Sequence, residues 1–367
     1  MISRLYIDRA VEGHPLVKRI QERFKAVPHT LVDDSRKLYQ EVDRTDDPIQ
    51  SGKELLFLTE NKGPFLKKCP GTRSYRCCDY TILHIASFCT MDCAYCILQI
   101  YFHPAVLQFF VNHEKLMTEL DAVFASGVVT RIGTGEFTDS LIWESLCDLT
   151  PRLVSRFAAQ NSCILELKTK TTAIGNLKNL AHNRKTILSW SLNTERVIRT
   201  EERRTTPLKA RLKAAEACQQ WGYPLSFHFD PLVIYDHCED EYREVIAALF
   251  DRISPDNIVW ISLGSFRFMP ELKPLVQRRF PHSRIVYGEF IPGLDGKMRY
   301  FKPMRIALYK EILHAIRSKA PEVTVYFCME DDDVWLQCLG FVPADRGGLP
   351  GMLDESAVRH CGVRPGG

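Results

Sequence analysis

The chain has 367 residues, 45% hydrophobic and 25% charged, an ordinary globular composition that excludes a disordered, collagen-like or coiled-coil chain. Lys and Arg number 48 against 45 Asp and Glu, so the net charge of +3 does not by itself announce a nucleic-acid-binding protein, although local basic clusters can still hold phosphates. No run of 18 apolar residues occurs and the opening MISRLYIDRAVEGHP lacks the apolar core of a secretory signal, which predicts a cytoplasmic protein with no membrane association.

Residues 1–75 are charged and punctuated by Pro28, Pro48, Pro64 and Pro70, with one short apolar run at Leu55-Leu56-Phe57-Leu58; they read as an irregular, partly helical N-terminal extension. From Tyr80 the rhythm changes. β-prone runs at 80–86, 128–133, 163–169, 186–192, 223–229 and 257–263 alternate with segments of helical length at 105–125, 140–159, 172–182, 206–221 and 239–253. Six such units are too few for a closed eight-stranded barrel and suit an open, curved one, so the fold class is α/β: a partial (β/α)6 barrel over 76–265. Residues 266–367 read as a small C-terminal α+β lobe for substrate or DNA, with a strand at 284–290, a helix at 304–318 and a strand at 323–327.

In a reducing compartment the 13 cysteines are not a disulfide framework, so metal binding, redox chemistry and plain burial compete for them. Spacing decides for three. After the first barrel-like strand the chain reads Cys89-Thr-Met-Asp-Cys93-Ala-Tyr-Cys96, a C-x3-C-x2-C pattern. Three thiolates on a short loop can hold three irons of a 4Fe-4S cluster and leave the fourth iron open. A structural zinc would ask for a fourth ligand, and His84 and His103 are unconvincing ones. Gly133-Thr134-Gly135-Glu136 follows the second strand; its small residues admit a close ligand and its carboxylate can accept from an ammonium group.

The cysteine loop, with aromatic Tyr95 before its last cysteine, resembles that of the radical S-adenosylmethionine superfamily. The resemblance narrows to the spore photoproduct lyase family over residues 76–330, through Leu98-Gln99, Phe137-Thr138-Asp139-Ser140, Thr169-Lys170, Trp190-Ser191-Leu192-Asn193 and Gly222-Tyr223-Pro224. It implies a barrel of the radical S-adenosylmethionine type, a 4Fe-4S cluster on Cys89, Cys93 and Cys96, and reductive cleavage of S-adenosylmethionine to a 5′-deoxyadenosyl radical. It further implies cofactor contacts from Glu136, Thr138, Lys170, Ser191 and Asn193, UV-damaged DNA carrying a thymine dimer as substrate, and an electron donor such as flavodoxin or ferredoxin.

Two positions depart from that family. Its members carry a cysteine that returns a hydrogen atom to the product radical, in a Cys-Thr-Ser-Asp word, where this chain has Glu136-Phe137-Thr138-Asp139; and they carry a tyrosine after the last cluster cysteine, where this chain has Ile97. A carboxyl O–H is a poor hydrogen-atom donor. Tyr95, Cys147, Cys163, Cys238 and Cys328 are the candidates for the replacement, and Glu136 is assigned to the cofactor's amino group, so that Tyr95 and Glu136 are the expected catalytic residues.

Two basic segments suit phosphate contact or, equally, solvated faces laced with ion pairs: Arg196 to Lys213, and Lys297 to Arg305 with its interleaved aromatics. His228, Asp230 and Tyr235 follow the fifth strand and are candidates to line a pocket, Glu330 to Asp333 reads as a solvated turn, and Cys77-Cys78 as packing near the cluster. Two other functions remain open on sequence: a radical enzyme for another substrate, and a non-catalytic zinc- or cluster-containing nucleic-acid-binding protein.

Overall fold

The computed structural model of the protein describes residues 2–72 and 74–366. Its centre is a sheet whose strands run, edge to edge, Val325–Phe327, Ile258–Ser265, Leu225–Leu232, Thr186–Ser191, Cys163–Thr169, Thr130–Gly133, Thr81–Leu83 and Leu66–Lys68. All pair in parallel except the last, which lies antiparallel to Thr81–Leu83. Parallel strands flanked by helices are buried on both faces, which is why Thr186–Ser191 and Ile258–Ser265 carry no exposed residue. The sheet is curled into a partial barrel. Its two edges approach each other where the Arg76 N–H donates to the Glu330 carbonyl at 3.1 Å and the Arg76 guanidinium pairs with Asp332.

One common direction for the strands gathers their carboxyl ends on one side, the usual place for a site in such sheets. The opposite end is covered by the C-terminal helix, Gly348–Cys361. Lys185 donates to the Cys361 carbonyl at 2.7 Å, Arg184 to that of His360 at 2.8 Å, and Arg131 pairs with Asp354 at 2.7 Å.

Residues 4–59 are more regular than the proline-punctuated sequence suggests. Arg4–Asp8, His29–Val32 and Leu55–Thr59 pair in parallel, and Leu107–Phe110 and Ala86–Ser87 complete a second five-stranded sheet. The apolar run at 55–58 is its fully buried middle strand. The chain therefore steps from the first barrel strand straight into the neighbouring sheet before it enters the cysteine loop, which places that loop at the junction of the two sheets.

Three segments of helical length differ from expectation. Residues 107–110 form a strand and the helix begins at His113, because the buried run Leu107-Gln-Phe-Phe110 completes the second sheet. Residues 140–148 are turns and the helix is Leu149–Ala158; Asp139 accepts from the Leu141 N–H at 3.0 Å and Thr138 from the Trp143 indole at 3.0 Å, bonds that favour a turn over a helix. Over 172–182 only a 3-10 turn, Gly175–Leu177, forms. In the C-terminal lobe the strand expected at 284–290 is Phe290–Pro292, which pairs with Met298–Tyr300.

Candidate active site

The cysteine loop is held from four sides. From beneath, Lys53 on the helix Pro48–Glu54 of the second sheet buries its ammonium against the loop, donating to the carbonyls of Cys89 at 2.9 Å and of Met91, with its charge 4.2 Å from the Phe88 ring centroid. From within, the buried Gln99 amide donates to the carbonyls of Cys93 and Ala94, each at 3.1 Å, and of Cys96 at 3.3 Å. From the C-terminal lobe, Arg279 donates to the Gln99 amide oxygen and pairs with Asp92 at 3.1 Å and with Asp47 at 3.0 Å. From the barrel, Asp92–Cys93 pairs antiparallel with Glu202–Arg203, and the Ala94 N–H donates to the Glu201 carbonyl at 2.8 Å.

Cys89 and Cys93 are buried and Cys96 half-buried, none of them in a disulfide. Burial pushes the Cys89 thiol up to about 12 and raises Cys93 as well, so a metal group that binds them must displace their protons, which makes its uptake pH-dependent. The Met91 N–H points at the Cys89 sulfur at 3.4 Å. Among the described residues no three His, Cys, Asp or Glu side chains are grouped so as to hold a single metal ion.

Around this loop stand the barrel's carboxyl ends. Tyr95 donates its hydroxyl to Glu202, whose other oxygen pairs with the fully buried Arg211. Arg211 also donates to the carbonyls of Ser191 and Thr206, each at 2.8 Å. The half-buried Lys170 ammonium lies 5.7 Å from the Tyr95 ring centroid; burial would lower its pKa, but Glu202 and the Cys93 sulfur outweigh that and hold it above the ordinary lysine value. Asp139 accepts from the Lys170 N–H and the Thr169 hydroxyl, each at 2.8 Å, and its pKa is raised by burial despite those bonds. Ser191 is buried at the end of its strand. Asn193 is already committed: its amide nitrogen donates to the Pro231 carbonyl and its oxygen accepts from Tyr242, each at 2.8 Å. Glu136 pairs with Lys168 at the mouth of the site.

Inside the barrel, behind Glu136, lies a polar knot of which sequence reasoning named only His228. Glu166 accepts from Ser189 at 2.6 Å, Ser226 at 3.0 Å and His228 Nε2 at 2.8 Å. Burial opposes its ionisation, yet His228, Lys168 and Ser189 together hold its carboxyl well below the usual carboxylate range. Alternation within a parallel strand was the available signal: in LELKTK, Glu166, Lys168 and Lys170 share a face. Lys53, Arg279 and Asp47 carried no local signal, because they meet the loop only through tertiary contacts.

The basic segments divide. Arg211, Arg299 and Arg305 are buried in ion pairs with Glu202, Asp295 and Glu330, while Arg196, Arg199, Arg203, Arg204, Lys209 and Lys213 are exposed. The run at 330–333 is not merely solvated: Glu330 is buried on Arg305, Asp331 caps the helix Asp332–Leu339, and Asp332 pairs with Arg76. Cys163 starts its strand, at the end remote from the site, whereas Cys328 follows the last barrel strand beside Arg267, 3.3 Å from its guanidinium.

The family model for spore photoproduct lyase matches residues 70–310. The chain belongs to the spore photoproduct lyase family. It is thus an enzyme of the radical S-adenosylmethionine lyases, whose chemistry uses that cofactor and an iron-sulfur cluster. The spore photoproduct lyase of Bacillus subtilis (strain 168) is 26% identical over 244 residues, 64% of this chain and 69% of the relative; that of Clostridium acetobutylicum is 22% identical over 313 residues, 82% and 87%. Two solved structures share the fold at 21% identity, covering 89% of this chain and 99% of theirs: a spore photoproduct lyase complexed with dinucleoside spore photoproduct, TM-score 0.78, and a mutant with bound AdoMet and the same dinucleoside, TM-score 0.79. No described helix is long and apolar enough to cross a membrane.

Proposed function

We propose that this family member repairs the spore photoproduct, a thymine dimer in UV-damaged DNA, back to two thymines, with Cys89, Cys93 and Cys96 as the ligands of its cluster. The observation that carries the reading is the cysteine loop itself, clamped by Lys53, Gln99, Arg279 and the Glu202–Arg203 ladder at the carboxyl ends of the barrel strands. When bound, the cluster and S-adenosylmethionine supply a 5′-deoxyadenosyl radical.

The chain's own residues bind, orient and exclude water. Lys170 would offer its ammonium, and Thr138 and Ser191 their hydroxyls, to the methionyl part of the cofactor; Asp139 fixes the Lys170 backbone. Tyr95 and Glu202 form a fixed wall next to that ammonium. Asn193 acts through Tyr242 and Pro231, holding the turn after the fourth strand in place. Glu136, paired with Lys168, presents a carboxylate to the cofactor's amino group. The exposed arginines between 196 and 204 supply phosphate contacts for the flanking DNA. A low-potential one-electron protein is the reductant.

Anaerobic incubation of the reconstituted protein with dinucleoside spore photoproduct, S-adenosylmethionine and dithionite tests the reading. It requires release of two thymidines together with 5′-deoxyadenosine. Cofactor cleavage with an intact dimer would transfer the chemistry to another substrate.

A further inference from the structure

Asp230 and Arg267 form an ion pair that none of the cofactor contacts uses. Alternation along the strand Leu225–Leu232 puts Asp230 on the same face as His228, which points into the barrel and bonds Glu166. The Arg267 guanidinium reaches Asp230 from the end of the next strand, Ile258–Ser265, with Nη1 3.3 Å from one carboxylate oxygen and Nη2 3.2 Å from the other. Its N–H groups also donate to the Ser265 carbonyl at 3.2 Å and to the Cys328 sulfur at 3.3 Å. The carboxylate lies directly on the neighbouring strand: a Cβ at residue 264 would come within 2.7 Å of it, so the arrangement needs Gly264.

The pair borders the open mouth of the barrel. Deeper inside, Glu166 and His228 are sealed from solvent. Two residues further along the same two strands, the side chains of Lys168 and Asp230 are 21% and 26% exposed. An ion pair that only held the barrel together would be closed like Glu166 and His228; this one faces space. The cluster loop stands beside it. Phe266, the residue before Arg267, meets the Tyr95 ring edge-on with centroids 6.5 Å apart, and Tyr95 is the ring over which the Lys170 ammonium lies. Asp230 and Arg267 therefore sit on the wall next to the cluster loop, at the carboxyl ends of the strands, where a substrate has to enter.

We propose that Asp230, held in place by Arg267, selects the lesion's base by accepting a hydrogen bond from the imide N–H of one thymine half. The proposal rests on the photoproduct reading given above and names the residue that sets its base specificity. An ionised carboxylate can only accept, and each oxygen keeps a free acceptor site beside its Arg267 contact. Thymine presents N3–H there, between two carbonyls; cytosine presents a bare N3 lone pair, which the same carboxylate repels. A built-in acceptor thus favours thymine and rejects cytosine at one position. Arg267 is a positioning residue. Its planar fork fixes the carboxylate and brings N–H donors to the side where the imide carbonyls lie, the pattern by which a base taken out of the stack is recognised on its pairing edge.

The test is anaerobic calorimetry on the reconstituted full-length protein with S-adenosylmethionine and no reductant, so that binding is read without turnover. Three ligands are compared: dinucleoside spore photoproduct and its two analogues methylated at N3 of one or the other thymine half. One analogue is expected to bind the wild type at least tenfold more weakly than the parent, the loss of one hydrogen bond to a charged group. In Asp230→Leu the parent weakens to the level of that analogue, while the analogue itself stays within about twofold, because it no longer had the bond to lose. Gly264→Ala, which displaces the carboxylate and keeps both charges, levels the two ligands in the same way. The wild-type comparison needs no variant, so it decides even where a variant fails to fold. Equal binding of all three ligands by the wild type, or full discrimination retained in Asp230→Leu, overturns the proposal and leaves the photoproduct reading intact. A wild type that binds none of the three, and leaves the parent dimer whole when dithionite is added, overturns both.

Discussion

Lys53 and Cys89 lie 36 residues apart in the chain, and the Lys53 ammonium, on the helix that leads into the middle strand of the neighbouring sheet, donates to the Cys89 carbonyl at 2.9 Å. The contact joins the N-terminal strands to the cluster loop, so the second sheet acts as the floor of the site. Lys53→Met leaves the carbonyls of Cys89 and Met91 buried without a donor. The expected cost is about 2–4 kcal/mol, by loss of charge-assisted bonds and exposure of their partners. Urea denaturation measures that loss, and iron content after anaerobic reconstitution falls severalfold, with the three cysteines untouched.

Arg211 and Glu202 form an ion pair with neither side chain more than 1% exposed, and Glu202 also receives the Tyr95 hydroxyl. Arg211→Met strands a buried carboxylate and is expected to destabilise by about 3–5 kcal/mol. Adding Glu202→Gln to that variant removes the stranded charge and recovers part of the loss. A double-mutant cycle followed by denaturation checks both values.

Lys170→Met separates cofactor binding from cluster binding. Iron content stays within about twofold of the wild-type level, because Lys170 meets the loop across the Tyr95 ring and through its charge near Cys93, whereas the loop backbone is held by Lys53 and Gln99. Affinity for S-adenosylmethionine, measured by anaerobic calorimetry, falls at least tenfold, roughly the loss of one charge-assisted carboxylate contact of ~1.5–3 kcal/mol. Unchanged affinity would remove Lys170 from the cofactor site.

Legibility in the sequence followed the range of the interactions. The three cysteines and the parallel strands were readable because a C-x3-C-x2-C word and buried β-prone runs are local. The strand Leu107–Phe110 was hidden, because an apolar run before a helix reads as its first turns until the second sheet gives it a partner. Arg211 could be read equally as a phosphate contact or as part of a solvated, ion-paired face, because charge pattern cannot announce a cation buried on Glu202. Arg279, 180 residues from Gln99, had no local pattern at all to announce it.

The buried His84 gives a pH signature. Burial, then the nearby Lys67 charge, lowers its pKa to about 3, so the folded protein keeps it neutral where the unfolded chain, with a pKa of about 6.5, takes up a proton. Its contribution is complete above pH 6.5 and is lost as pH falls from there towards 3, by up to about 1.4 kcal/mol per pH unit. His84→Leu therefore flattens the stability profile between pH 6.5 and 5, by roughly 2 kcal/mol at pH 5 relative to the wild-type slope. Denaturation midpoints at four pH values test it; parallel profiles for the two proteins would refute it.

The central claim is that Cys89, Cys93 and Cys96 hold an iron-sulfur cluster with one iron open to S-adenosylmethionine. The most direct measurement is electron paramagnetic resonance of the anaerobically reconstituted, dithionite-reduced protein with and without the cofactor. The account predicts about four irons per chain, a reduced-cluster signal that changes when S-adenosylmethionine is added, and loss of both in the Cys→Ala triple variant. A protein that takes up one zinc and no iron, or a cluster signal that ignores the cofactor, would contradict it.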